Sequence, residues 1–231
     1  MHRVPARPTR IGRNDRGVVL DEERGPNLLV VCAANVCRSP LAEYLLARGL
    51  ASLPEFEGHS VSSAGAGARD GAGLCERVDE RIGADGAEFA AAHRSSRLTA
   101  ADVGRSALVL TASKAERAAV ATIDPSARSR TFTLREAMYL AAAEPIDSRA
   151  GADEEPLTVF AAEIHGRRGL MRSTPAPAPS GLRTLLRRKP TGDPLDVPDG
   201  HHLTLRQHRS ALDDVSDAVD SILGALRRLT R

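Results

Sequence analysis

Polar and apolar positions along this chain follow two rhythms in turn. Short runs at 27–31, 60–63, 107–111 and 130–133 read as strands, the first and third being nearly continuous in Leu and Val. Between them, apolar residues recur three or four apart. Leu41, Tyr44 and Leu45, joined by the stem of Arg48, make one stripe, with Ser39 as its predicted N-cap, Pro40 at the first helical position and Gly49 at its end. Helices are predicted likewise over 72–82 (Leu74, Val78, Ile82), from a Ser113 cap through 120, and over 134–143. The last helix has the most continuous face, through Ala211, Leu212, Val215, Val219, Ile222, Leu223, Leu226 and Leu229. Asp213 and Asp214 early and Arg227 and Arg228 late suit its dipole, so it reads as a packing element. Strands alternating with helices predict an α/β three-layer sandwich around a central four-stranded parallel sheet.

Two stretches fall outside this rhythm. Residues 1–26 lack sustained periodicity and read as a mobile arm ending at Gly25-Pro26. Residues 144–194 read as a flexible basic insertion in a domain spanning 27–229. Within it, 157–168 has a helical pattern and 174–181 is an extended Pro- and Ala-rich linker. No acidic residue lies between Ile164 and Gly192, whereas Arg167, Arg168, Arg172, Arg183, Arg187, Arg188 and Lys189 are basic. Such a run is solvated in itself, or docks an acidic partner.

Composition narrows the class. With 231 residues, 42% hydrophobic but 3% aromatic and no tryptophan, the chain must build its core from Leu, Val and Ala. A net charge of +2 gives no global argument for nucleic acid, and no aromatic platform for bases accompanies the basic stretch. Three cysteines cannot form a disulfide framework, and no apolar run nears the ~20 residues of a membrane span or forms a secretory leader. A cytoplasmic, reducing location without membrane insertion is expected. His201-His202 and His208 lack a ligand spacing, since adjacent histidines on an extended segment point opposite ways; no metal and no cofactor are expected.

The chemistry concentrates in Cys32-Ala33-Ala34-Asn35-Val36-Cys37-Arg38-Ser39, directly after the first strand and at the N-terminus of a helix. A loop so placed wraps a tetrahedral oxyanion with backbone N–H groups and the positive helix end. Arg38 can grip two phosphate oxygens at once. Cys32 lies beneath the phosphorus position, where the field that binds phosphate also favours thiolate, and is the candidate nucleophile. Cys75 reads as a packing residue on a helix face.

This Cys-x5-Arg-Ser loop resembles that of the low-molecular-weight protein-tyrosine phosphatase family. Val61-Ser62-Ser63-Ala64-Gly65, His93-Arg94-Ser95-Ser96-Arg97-Leu98-Thr99 and Leu108-Val109-Leu110-Thr111 follow in the family's order, and the resemblance covers 27–143 and 193–229. It implies a metal-independent phosphatase acting on phosphotyrosine in protein substrates through a phosphocysteine. Cys32 would be the nucleophile, Arg38 the phosphate ligand, Ser39 the support of the thiolate, and Asn35 and Ser63 the braces of the loop. Cys37 matches the family's second cysteine, a possible redox partner of Cys32, or is a small buried residue. The family's general acid, an aspartate before the last helix, falls on Asp199, with Asp196 and Asp193 as alternatives. Ala34 stands where the loop usually has glycine, Gly200 replaces the proline after the acid, and Ser113 an acidic residue after the third strand. These departures leave open an impaired phosphate-binding or regulatory module. A thiol-dependent arsenate reductase, which uses the same loop, is the other alternative.

Overall fold

The computed structural model describes residues 12–13, 19–20, 27–142, 154–172 and 193–230. Its centre is a parallel sheet of β1 (Asn27–Cys32), β2 (Ser60–Gly65), β3 (Ser106–Thr111) and β4 (Thr131–Thr133), in the spatial order β2-β1-β3-β4. Every residue of β1 is buried, as expected of a central strand covered on both faces. The two-residue period of the strand sorts its side chains. Leu28 and Val30 join one core with Leu108, Leu110 and Phe132; Leu29 and Val31 join a second with Val109, Val103 and Val120. Asn27 pins three strand starts together, donating to Ser62 and Ser106 and accepting from Ser60.

The larger core is closed by α1 (Arg38–Leu50), α6 (Leu134–Ala142), α7 (Pro156–Gly166) and α8 (Leu205–Leu229). The smaller one is closed by α4 (Ala100–Gly104) and α5 (Lys114–Ile123). Two further short helices, α2 (Glu76–Ile82) and α3 (Ala87–Ala92), complete the chain order. The architecture is thus the three-layer α/β sandwich with four parallel strands.

Several helix boundaries differ from expectation for physical reasons. Ser39 does not cap α1, which begins at Arg38 with Cys37 as N-cap, because its hydroxyl is turned toward Cys32. Gly49 does not end α1. A Cβ there would sit 2.2 Å from a Leu223 methyl, so this glycine lets α8 approach. Leu46 and Leu50, rather than Arg48, complete the buried side. The helix expected over 72–82 starts only at Glu76, because 72–75 is tied to neighbouring loops by Ser95 N–H to the Ala72 carbonyl and Cys75 N–H to the Val36 carbonyl. The last helix starts at Leu205 behind a Thr204–Gln207 capping box, a signal readable in the sequence.

Within 144–194, α7 is part of the main core through Leu157, Phe160, Ala161 and Ile164. Arg168, just after it, stacks over Phe132 (4.2 Å to the ring centroid) and donates to the buried Glu136. Residues 143–153 and the 174–181 linker lie outside the described residues. So does the arm at 1–26, apart from a two-rung antiparallel pairing of Gly12–Arg13 with Val19–Leu20. Among the described residues no helix is long and apolar enough to cross a membrane.

Candidate active site

The loop leaving β1 turns back on itself over the N-terminus of α1. The turn is made by Asn35, at φ 55°, the only non-glycine residue with positive φ among those described. Asparagine tolerates this region because its short amide bonds locally. The strain therefore falls on Asn35, and Ala34 carries its Cβ at no backbone cost.

Asn35 is also the hub of the loop. Its Nδ2 donates to Ser63 Oγ (2.7 Å) and Ser39 Oγ (3.1 Å), and its Oδ1 accepts from Ser96 N–H (2.9 Å). Its carbonyl accepts from His93 Nε2 at 2.9 Å, which fixes that ring's tautomer. Ser63 in turn donates to Glu43 Oε2 (2.5 Å), and burial pushes the Glu43 carboxyl above the usual range, against that hydrogen bond. Gly65 admits the backbone of this loop: a Cβ there would lie 2.9 Å from both the Ala33 oxygen and the Asn35 nitrogen.

Cys32 is 2% exposed, and its sulfur accepts from the Ser39 hydroxyl (3.0 Å) and from Asn35 N–H (3.3 Å). Two donors aimed at one sulfur stabilise negative charge there. Arg38 is buried and reaches across to the segment before α8. Its Nη1 donates to the Val197 carbonyl and its Nη2 to Asp199 Oδ2, both at 2.9 Å. Asp199 Oδ1 accepts from His201 N–H (3.1 Å), so the turn after it positions the carboxylate. The other two aspartates point elsewhere. Asp196 accepts from Lys114 N–H at the start of α5, and Asp193 from Lys114 Nζ. Ser113, in the place of an acidic residue, caps α5 by accepting from Ala115 N–H.

The structure thus brings together Cys32, Asn35, Arg38, Ser39, Ser63 and Asp199 around one loop. It also adds Glu43, His93 and Ser96, to which sequence reasoning gave no role in the site. Ser96 braces Asn35 through its backbone N–H, which leaves no trace in a residue pattern.

Behind the loop lies a second constellation. Cys37, the N-cap of α1, is buried, and its sulfur lies 3.0 Å from His208 Nε2; Cys75 Sγ is 3.8 Å from the same nitrogen. The two thiols hydrogen-bond to each other. That bond, with burial, pushes Cys37 up; the same bond draws Cys75 down to about 5, against the burial that would raise it. The contacts of Cys37 thus run to Cys75 and His208, and all three cysteines are free thiols. Cys75 packs against the larger core as expected, but from the N-cap of α2 rather than from a helix face, and next to Cys37.

The family model of low molecular weight phosphotyrosine protein phosphatases matches residues 27–148. A relative named "Probable low molecular weight protein-tyrosine-phosphatase EpsP", from Ralstonia nicotianae, is 35% identical over 133 residues, 58% of this chain and 87% of that protein. A protein-arginine-phosphatase of Geobacillus stearothermophilus is 32% identical over 109 residues, 47% of this chain and 69% of its own. The crystal structure of the Erwinia amylovora tyrosine phosphatase AmsI superposes with a TM-score of 0.52 at 20% identity, covering 86% of this chain and 91% of that one. With the family model matched over more than half of its length, this chain belongs to the low molecular weight phosphotyrosine protein phosphatase family and is a cysteine-dependent phosphatase.

Proposed function

We propose that the chain hydrolyses phosphotyrosine in protein substrates with Cys32 as nucleophile, Arg38 as phosphate ligand and Asp199 as general acid. The observation that carries this reading is the Arg38–Asp199 bridge at 2.9 Å, which holds a carboxylate over the loop that presents Cys32. The thiolate attacks phosphorus in line, forming an S–P bond while the P–O bond to the leaving group breaks. Arg38 and the loop N–H groups take the charge on the non-bridging oxygens. Asp199 gives its proton to the departing oxygen, then takes one from the water that cleaves the phosphocysteine. Ser39 donates to the sulfur as it leaves.

The bridge also suggests an order of events. A phosphate dianion competes for the same guanidinium, so substrate binding loosens the hold of Arg38 on Asp199 and leaves that carboxyl able to carry the proton it must deliver. We place the reaction in a reducing cytoplasm, where the free thiols persist.

The test is metal-free hydrolysis of aryl phosphates by the wild type, Cys32→Ser and Asp199→Asn. Cys32→Ser should have no turnover, and retained activity would overturn the assignment. Asp199→Asn should lose about 10²–10⁴-fold for phenyl phosphate and much less for dinitrophenyl phosphate, whose phenolate leaves unprotonated. Equal leaving-group dependence in mutant and wild type would remove Asp199 as the acid. Phosphotyrosine and phosphoarginine peptides assayed side by side decide the substrate; a preference for phosphoarginine would overturn the tyrosine assignment.

A further inference from the structure

Four side chains that the phosphatase chemistry does not use converge behind the phosphate loop. Cys37 Sγ, Cys75 Sγ and a ring nitrogen of His201 all lie within 4.8 Å of one another. His208 Nε2 stands 3.0 Å from the first sulfur and 3.8 Å from the second. The His201 and His208 rings are neighbours, with centroids 5.3 Å apart. A zinc ion with Zn–S near 2.3 Å and Zn–N near 2.0–2.1 Å at tetrahedral angles requires ligand atoms about 3.3–3.8 Å apart. The two distances from His208 lie near that set; the other pairs stand farther apart, within 4.8 Å among Cys37, Cys75 and His201, so the exposed His201 ring must swing in toward the other three donors to complete it.

We propose that Cys37, Cys75, His201 and His208 form a tetrahedral site for a soft divalent cation of the zinc class. Two thiolates cancel the charge of the ion, so the filled site is neutral, which suits its half-buried position. Mixed thiolate and imidazole donors select zinc over hard cations such as magnesium and calcium. The surroundings are shaped for the donors. A Cβ at Gly200 would lie 2.3 Å from His208 Cδ2, so the glycine in this turn leaves room for the imidazole.

No sequence spacing announces such a site, because its ligands come from four separate places: the N-caps of α1 and α2, the turn after Asp199, and the first turns of α8. The ion would therefore join the element carrying Arg38 to the turn carrying Asp199. Its role is structural: with all four positions taken by protein it has none open for substrate.

The experiment uses tag-free full-length protein, reduced with a phosphine and freed of metal, then titrated with Co2+ under argon. One equivalent should produce the strong visible bands of tetrahedral cobalt and a near-ultraviolet thiolate-to-cobalt band, both erased by stoichiometric Zn2+. Cys75→Ser should lose about half of the charge-transfer intensity, one of two thiolates. His201→Asn, at an exposed side chain, should weaken cobalt binding by roughly 10–100-fold, the scale set by loss of support to a metal site. Cys32→Ser should keep the full spectrum, because its sulfur is not a ligand. Weak octahedral bands without charge transfer would overturn the proposal. So would a spectrum that survives Cys75→Ser but vanishes in Cys32→Ser, or wild-type protein that closes a Cys37–Cys75 disulfide and, once reduced, binds no cobalt. The wild-type titration needs no variant to fold.

Discussion

Replacing Asn35 by alanine tests the architecture of the loop more directly than replacing any group that meets phosphate. Three losses can be counted. Alanine at φ 55° meets the left-handed penalty that asparagine largely escapes, about 1 kcal/mol. Ser96 N–H loses its acceptor in a part-buried position, which costs about 1–3 kcal/mol. Ser39 and Ser63 each lose a donor but keep another partner, Cys32 Sγ and Glu43 respectively, at about 0.5–1 kcal/mol each. The sum is about 3–6 kcal/mol, a large share of the roughly 5–15 kcal/mol typical of a domain. Asn35→Gly loses the same side-chain bonds without the strain and should be about 1 kcal/mol less damaged. Urea unfolding of the three proteins gives the stabilities, and inhibition by inorganic phosphate reports the shape of the loop. Equal stability of the glycine and alanine variants would refute the backbone argument. If both fell within 1 kcal/mol of wild type, the hub itself would be refuted.

Three further outcomes are expected. Gly49→Ala should lower Tm, costing about 1–3 kcal/mol as its Cβ meets Leu223, whereas Gly224→Ala, whose Cβ would find only Arg228 at 3.6 Å, should gain about 0.5–1 kcal/mol. Glu43 has a folded-state pKa raised by burial, so its contribution is fully present below the unfolded pKa and is lost as pH rises through the folded value. Glu43→Gln should therefore gain stability relative to wild type between pH 4 and pH 7 in denaturant titrations, and a constant difference across that range would contradict the burial argument. Asp196→Ala should cost about 1 kcal/mol by uncapping Lys114 N–H, while leaving the leaving-group dependence of hydrolysis unchanged.

The strands and the thiol loop were legible because each is written in consecutive residues: Leu28–Val31 as an apolar run, Cys32 to Ser39 as a spacing. Of the aspartates before α8, counting back from the last helix favoured Asp199, and it is the one that reaches Arg38. What could not be read depends on the fold. The contacts of His208 with Cys75 and Cys37 join residues 133 and 171 positions apart, and no local pattern encodes them. The expectation of no metal weighed histidine and carboxylate spacings and left out the cysteines, which only the fold brings beside His208. Ser39 had the right residue type for an N-cap and was misread because a hydroxyl can serve only one geometry, and here it serves Cys32. The helix α7 was legible as a pattern at 157–168, but its place in the core was not, because the basic and Pro-rich stretch beside it suggested a solvated insertion.

Arg38 and Asp199 are 161 residues apart, which sets when the loop gains its supports during synthesis. The ribosome delivers the thiol, its arginine and nearly all of the sheet first, and domains condense from the N-terminal side as they emerge. At that stage the loop lacks the Val197 carbonyl and the Asp199 carboxylate that hold Arg38 in place. It also lacks α8, whose residues from Ala211 to Leu229 fill the core behind it. A nascent chain can thus expose the thiol loop while Arg38 still lacks both of its partners from the segment before α8. Arg38 is held in its final place only once the segment from 193 onward has docked against it.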